Sequence, residues 1–471
     1  MDAASDNPPS STRNQPYSSE PPDPSRPASV APTESQLESE VPGGSQSAAH
    51  DPYAALRIRG FWVYCVGWVT SVVGQQVQSV AVQWQVFQRV GSASRGALAL
   101  GIVGGVQALP LLLLALPAGH LADRFDRRKI LMASELGACL CSIGLAVVSH
   151  ANGSIVLMYV LLGLGATAHS IGWPARSALL PQIVPARDFA NAATWNSSVF
   201  QVASVAGPAL GGLIVSFTLT GAYLLDATCS LVFFLLLSGL SVRPARRASE
   251  PVSLASLAAG VRFVWRTKII LGAITLDLFA VLLGGATYLL PLFARDVLHS
   301  GALAFGFLRA GPAIGAFAMA MALAHLRPMK KAGAAMLWAV AAFGAATVVF
   351  GLSHSFVLSM AALILTGAFD NISVVVRHTL VQMLPPESMR GRVSAVNNIF
   401  VGASNEIGGL ESGLTAWLFG KFLNPIGGAI ASVIFGGIGA MAVVAVVAYA
   451  WPQVRRFGSL QDARPIQPHG D

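Results

Sequence analysis

Gly119-His120-Leu121-Ala122-Asp123-Arg124-Phe125-Asp126-Arg127-Arg128-Lys129 is a dense run of charge between two long apolar segments, roughly 97–118 and 130–149. A connection this short cannot leave the surface that the two segments start from. Its charges are therefore held beside two helix ends. Apolar runs of about 20 residues match the hydrocarbon thickness of a bilayer, ~30 Å. The stretch thus reads as a short loop at a membrane face.

Composition extends that reading to the whole chain. Of its 471 residues, 54% are hydrophobic and only 11% are charged. A soluble domain carries about 25% charge, so this chain lacks the polar residues to cover a water-facing surface. Helices satisfy their own backbone hydrogen bonds in lipid, which makes an all-α membrane protein the consistent class. Twelve transmembrane helices are expected, near 61–86, 97–118, 130–149, 154–175, 190–216, 221–241, 269–293, 302–325, 332–352, 355–376, 393–419 and 426–450. The fifth and eleventh are long and rich in Gly, Ser and Asn, so hydropathy alone defines them least.

The net charge of +8 is distributed by side rather than by patch. With both termini cytoplasmic, Arg57, Arg59, the Arg124–Lys129 cluster, Arg176 and Arg187 fall inside. So do Arg243, Arg246, Arg247, Arg262, Arg266 and Lys268 of a central loop. Arg327, Lys330, Lys331, Arg377, Arg390, Arg392, Arg455, Arg456 and Arg464 complete that side. Arg89, Arg95, Arg295 and Lys421 fall outside. This asymmetry is that of an inner-membrane protein. Scattered loop charges do not make a nucleic-acid surface.

Cys65, Cys139, Cys141 and Cys229 lie inside apolar spans and read as small buried residues, with neither a disulfide framework nor a metal site. Residues 1–56 are rich in Ser, Pro and acids and read as a disordered cytoplasmic tail. The expected organisation is that tail, a six-helix bundle over 57–241, a cytoplasmic loop over 242–268, a second bundle over 269–452, and a C-terminal tail over 453–471. An internal repeat supports the six-plus-six division. In one constant register Arg176 pairs with Arg377, Leu179 with Leu380, Pro185 with Pro386, Asn196 with Asn397, Gly207 with Gly408 and Gly212 with Gly413. In a register four residues away Gly101 pairs with Gly306, and His120-Leu121 with His325-Leu326. Pro328 stands where Asp123 should have its counterpart, so the two halves are not equivalent at this surface.

Ionisable side chains inside a membrane are costly and point to function. Asp277, Asp370, Glu406 and Glu411 are the intramembrane acids, and Arg309 is the lone deep base. Gln75, Gln76, Gln78, Gln107, Asn196, Asn371, Asn397, Asn398 and Asn405 add polar groups. A carboxyl in a low-dielectric site can load and release a proton near neutral pH. The structural alternative pairs Arg309 with Asp277 or Glu406. Glu135 and Asp226 lie nearer span ends and read as anchors. His169 is either a proton shuttle or a hydrogen-bonded packing residue.

Gly119-x-Leu121-Ala122-Asp123-Arg124 with its basic cluster resembles the loop between helices 2 and 3 of the major facilitator superfamily. Ala203-x-x-x-Gly207-Pro208-x-x-Gly211-Gly212 resembles the superfamily's antiporter motif, with Ala203 in place of its first glycine. Trp173-Pro174-Ala175-Arg176 and Arg390-Gly391-Arg392-Val393-Ser394-Ala395-Val396-Asn397-Asn398 are similar to the enterobactin-exporter-like branch of bacterial drug and siderophore exporters. The resemblance covers about residues 57–452.

It implies two pseudo-symmetric six-helix bundles in the bacterial inner membrane, with the substrate between them. It implies a gating role for Gly119, Asp123, Arg124, Arg127, Arg128, Arg390 and Arg392, with Asp123 meeting the start of helix 11 when the cytoplasmic side closes. The antiporter motif tilts the direction toward export. The expected activity is proton-coupled export of an amphipathic small molecule by a monomer, with no cofactor and no enzymatic step. No Gly-x4-Gly-Lys-Ser/Thr loop occurs in the sequence, which leaves an ion gradient as the energy source. The same branch is similar to lysophospholipid transporters, the alternative cargo. A non-transporting membrane receptor of the same fold is the reading outside transport.

Overall fold

Helices account for almost the whole computed structural model, which describes residues 51–242, 254–326, 329–460 and 465. We label the long helices α1 (Arg59–Val90), α2 (Ala93–Arg124), α3 (Arg127–His150), α4 (Ile155–Ile183), α5 (Phe189–Phe217) and α6 (Leu219–Ser238). The second set is α7 (Lys268–Leu283), α8 (Ala302–His325), α9 (Ala332–Leu352), α10 (Phe356–Met383), α11 (Glu387–Phe422) and α12 (Pro425–Ala450). Ten segments are long and apolar enough to cross a membrane. The two long helices outside that group are α1 and α11, with 32 and 36 residues. Both carry more polar side chains, among them the buried Gln83 and Gln85 of α1 and Asn397 of α11.

Local chemistry sets the ends. Gly91 stops α1 with φ +72°, a left-handed conformation that costs glycine nothing. Asp126 caps α3 by accepting from the Arg128 backbone N–H at 2.9 Å, and Asn424 caps α12 through the Gly427 N–H at 2.7 Å. After α7 the chain breaks at Gly284-Gly285. It resumes as a 3-10 turn over Ala286–Leu289, a helical turn over Leu290–Leu292 and a π turn over Phe293–Val297. Broken helices in membrane bundles occur where backbone lines a cavity.

Packing follows the repeat. Helix α1 packs on α5 and α6, α3 on α4 and α6, and α2 on α4; likewise α8 packs on α10, α9 on α10 and α12, and α11 on α7 and α12. The broad contacts between the two sets are α2 with α11 and α5 with α8. Both are antiparallel and both rest on glycines. A Cβ at Gly101 would lie 3.0 Å from the Gly413 Cα, and one at Gly212 would lie 2.7 Å from the Gly306 Cα. Small residues let backbones approach this closely, which is how helices associate in lipid.

These contacts lie at the end of the bundle away from Gly119–Lys129. One continuous apolar cluster there joins both sets, running from Val77, Leu100 and Leu145 to Leu289, Phe293 and Phe305. Trp84 stacks on Phe305 across the junction, with centroids 5.8 Å apart. Toward the charged end the core divides. One cluster, around Phe61, Trp68 and Phe233, belongs to the first set; another, around Ile270, Met336 and Val393, belongs to the second. The molecule is sealed across its two halves at one end and split at the other.

Several expectations need adjustment. Pro52–Leu56 fall within the expected tail, yet they form a turn held to α5: Asn191 accepts from the Ala55 N–H, and Asn191 and Trp195 donate to the Pro52 carbonyl. The central loop holds a helix over Leu254–Arg266. Residues 1–50, Arg243, Arg246, Arg247, Arg327, Pro328 and Arg464 lie outside the described residues. Arg377 was counted with the loop cations, but its side chain is 1% exposed inside α10. Glu135 and Asp226, read as anchors near span ends, are buried within the first six helices.

Candidate functional site

A cavity of about 370 Å³ lies between the two halves. From the first half, α1 supplies Gln75, Gln76, Gln78 and Ser79, α2 supplies Gln107, and α4 supplies His169 and Trp173. From the second half come Tyr288 beyond the helix break, Arg309 on α8 and Glu406 on α11. The three glutamines lie within one turn of α1, which explains why α1 reads as too polar for a plain span. His169 Nδ1 lies 2.9 Å from the Gly165 carbonyl one turn back, so one ring nitrogen is engaged locally.

Arg309 reaches across the junction. Its Nη1 donates to Gln83 Oε1 and its Nη2 to Ser79 Oγ, both at 3.0 Å. Glu406 lines the same cavity, and the Tyr288 hydroxyl donates to its carboxyl group. Of the two structural pairings open to Arg309 in the sequence, neither forms as a direct ion pair. The guanidinium is held by neutral oxygens instead.

Asp277 belongs elsewhere. Its carboxylate lies 3.1 Å from Arg377 Nη2, and Arg377 Nη1 donates to Asn397 Oδ1 at 2.8 Å. All three are buried on α7, α10 and α11. Asp370 sits two turns before Arg377 on α10. It lines a smaller cavity of about 170 Å³ with Asn405, Thr347 and Thr366, and Tyr288 walls both cavities. The second half thus holds Asp277 and Asp370 around one guanidinium. Asn405 turns its amide back to the Val401 carbonyl, 2.9 Å away. Glu411 accepts from Ser412 at 3.4 Å and lines neither cavity.

At the charged end Asp123, Arg124 and Arg390 are exposed. Added Cβ atoms at Gly119 and Gly391 would meet nothing within 4 Å, so α2 and α11 have parted there. Asp123 makes no hydrogen bond or ion pair with Arg390 or Arg392 in this arrangement. Arg127 instead donates to the Ala178 carbonyl at 3.0 Å, and Arg128 to the Leu237 and Ser238 carbonyls. These arginines tie α3 to the ends of α4 and α6, where cations suit exposed carbonyls.

Ala203, Gly207, Gly211 and Gly212 are all buried along α5, with Pro208 among them. Added Cβ atoms at Gly207 and Gly211 would press on Gln76 and Val80 of α1 at 2.5 and 3.0 Å, while Gly212 faces Gly306. The motif is the seam by which α5 meets both α1 and α8.

Sequence reasoning missed Tyr288, Gln83 and the burial of Arg377. Tyr288 carries no signal in a lone sequence. Arg377 had one: its repeat partner and spacing match the Arg176 and Asn196 pair.

A polar cavity between two glycine-sealed halves, in a bundle of this topology, defines a membrane transporter of the major facilitator class. The chain belongs to the transmembrane secretion effector family of that superfamily, which it matches over residues 50–459. It is 28% identical to the multidrug efflux pump Tap of Mycolicibacterium fortuitum over 73% of this chain and 86% of that protein. It is 27% identical to the enterobactin exporter EntS of Escherichia coli over 82% of this chain and 90% of that one. Among solved structures it resembles a bacterial homolog of the human lysosomal transporter Spinster in an inward-facing, occupied conformation. The TM-score is 0.66 at 15% identity, covering 88% of this chain and 99% of that one. A D-xylose–proton symporter gives a TM-score of 0.63 at 13% identity, over 84% and 98%. These likenesses establish the fold.

Proposed function

We propose that this protein exports amphipathic small molecules across the bacterial inner membrane, driven by inward proton flow. The observation that carries the reading is the central cavity. It places an acid, Glu406, and a base, Arg309, from one half among glutamines and aromatics from the other. Ionisable groups at this depth are tolerated where they bind a substrate or move a proton. The relatives named as efflux pump and exporter support the direction.

Twelve crossings in two six-helix units, bounded near 57–241 and 269–452, rock about the α2–α11 and α5–α8 seams. With both termini cytoplasmic, the split end faces the cytoplasm, and this conformation receives cargo from inside. The register of α2 on α11 runs Gly101–Gly413, Gly104–Leu410, Leu111–Gly402. Continued to the charged end, it sets Asp123 opposite Arg390. Closing that end forms the latch while the glycine seams open. Glu406 and Asp370 are the proton-carrying acids, each in a cavity walled by Tyr288. The Asp277–Arg377–Asn397 group holds α7, α10 and α11 together behind them.

A lysophospholipid as cargo is the second reading. It draws on an apolar groove of about 650 Å³ at the charged end, lined by Leu121, Phe125, Ile130, Leu164 and Ile171. The test is efflux of an amphipathic dye from proteoliposomes under an imposed proton gradient. The proposal expects efflux against the dye's own gradient that stops with a protonophore. Efflux indifferent to the protonophore contradicts it, and movement of lysophospholipid alone selects the second reading.

A further inference from the structure

The repeat pairs Arg176 with Arg377 and Asn196 with Asn397, with the same spacing between arginine and asparagine. In the second half that spacing closes a bond, Arg377 to Asn397 at 2.8 Å. In the first half it does not. The Arg176 guanidinium instead packs on two indole faces, 3.6 Å from the Trp68 centroid and 4.1 Å from the Trp173 centroid. Phe200 stacks on Trp68 with ring planes 12° apart. Asn196 Oδ1, the counterpart of the oxygen that receives Arg377, is buried with no hydrogen-bond partner among the described residues.

Two further facts give this arrangement a ligand. Trp173 and Phe200 line the central cavity. Glu135 is buried close enough to Arg176 for their charges to interact, yet among the described residues its carboxylate is hydrogen-bonded only by the Ser71 hydroxyl, at 3.1 Å. Aromatic faces beside an unpaired carboxylate are what a weakly hydrated cation requires. Arg176 is such a cation, tethered, with a second seat at Asn196.

The geometry points to Trp68, Trp173 and Phe200 forming a subsite for lipophilic organic cations, which Arg176 occupies until cargo displaces it to Asn196. Cargo adds one positive charge to this half, and the carboxylate of Glu135, held only by the Ser71 hydroxyl among the described residues, is the group placed to offset it. The displaced arginine then makes in the first half the bond that Arg377 already makes in the second. Occupancy by the arginine lowers the apparent affinity for cargo by the fraction of time the seat is taken.

The inference deepens the transport reading and rests on it for the cavity's role. Its test needs no gradient and no transport. Binding of tetraphenylphosphonium to the full chain in lipid nanodiscs is measured by equilibrium dialysis, with uncharged triphenylphosphine oxide as comparator. Trp173→Leu is expected to weaken cation binding about tenfold or more, and Trp173→Phe to retain most of it. Arg176→Gln is expected to tighten cation binding several-fold by emptying the seat. Asn196→Ala, which removes the arginine's second seat, is expected to weaken it. The comparator should respond to none of these.

Unchanged or weaker binding in a folded Arg176→Gln protein overturns the inference. If that variant does not fold, unchanged binding in Asn196→Ala or in Trp173→Leu overturns it. Cation binding that follows the expected pattern without proton-driven efflux would sink the transport reading and leave the subsite standing.

Discussion

Arg377 and Asp277 form an ion pair 3.1 Å long, with side chains 1% and 4% exposed, between two helices of the second half. Neither residue lines the central cavity. The bond therefore belongs to the frame of the second half, and its loss should register first in stability. Removing one partner of a buried pair leaves an uncompensated charge and costs about 3–5 kcal/mol. Asp277→Asn and Arg377→Gln should each lower the melting temperature in detergent clearly, and the double variant should lose less than the two losses added together. Additive losses would show that the pair is not coupled.

The latch prediction follows from register. Asp123 and Arg390 are exposed here, where α2 and α11 have parted, and the proposed closure brings them together. Asp123→Asn should reduce efflux severalfold without changing expression. The exchange Asp123→Arg with Arg390→Asp should restore part of it. A cysteine pair at the two positions should cross-link under turnover and not in the resting protein. Normal efflux by Asp123→Asn would remove the gating role.

The glycine seams make a prediction of opposite sign. Gly212 and Gly413 lie in backbone contact at the sealed end, where an added Cβ would fall within 2.7 Å of backbone atoms. Overpacking costs about 1–3 kcal/mol, and here that cost falls on one conformation alone. Gly212→Ala or Gly413→Ala should shift the population toward the form open at that end by roughly tenfold. Labelling of a single cysteine placed at Ser79, applied from each side in turn, reads the shift. Unchanged labelling would mean that the seams do not set the balance.

Glu406 and Tyr288 should separate coupling from movement. Glu406→Gln retains the shape of the cavity and removes the exchangeable proton. It should permit downhill exchange of dye while abolishing uphill efflux. Tyr288→Phe removes only the hydroxyl that meets Glu406, so uphill efflux should fall by a smaller factor. Uphill efflux surviving in Glu406→Gln would move the coupling site to Asp370.

The fold was legible because lipid imposes one rule: runs of about 20 apolar residues become helices, and charge marks the loops. The repeated Arg, Asn and Gly positions carried the division into halves. Polar helices tested that rule hardest, since Gln75, Gln76 and Gln78 of α1 and Asn405 and Glu406 of α11 lower hydropathy because they line cavities. The site was legible as a set of residue types and not as partnerships. Arg309 looked ready for Asp277, but α7 turns Asp277 toward Arg377. Which acid meets which base depends on helix rotation, and rotation is decided by packing between distant segments. Asp123 stood out in the sequence as a latch candidate, and a conformation with that end parted leaves it exposed.

Proton movement driven by cargo alone tests the central claim most directly. Proteoliposomes containing the full chain, with no pH difference imposed, are given a gradient of transported dye while the internal pH is followed. Coupled antiport predicts a pH change opposite in direction to the dye flow, absent in Glu406→Gln and abolished by a protonophore. Dye flow with no accompanying pH change would contradict it.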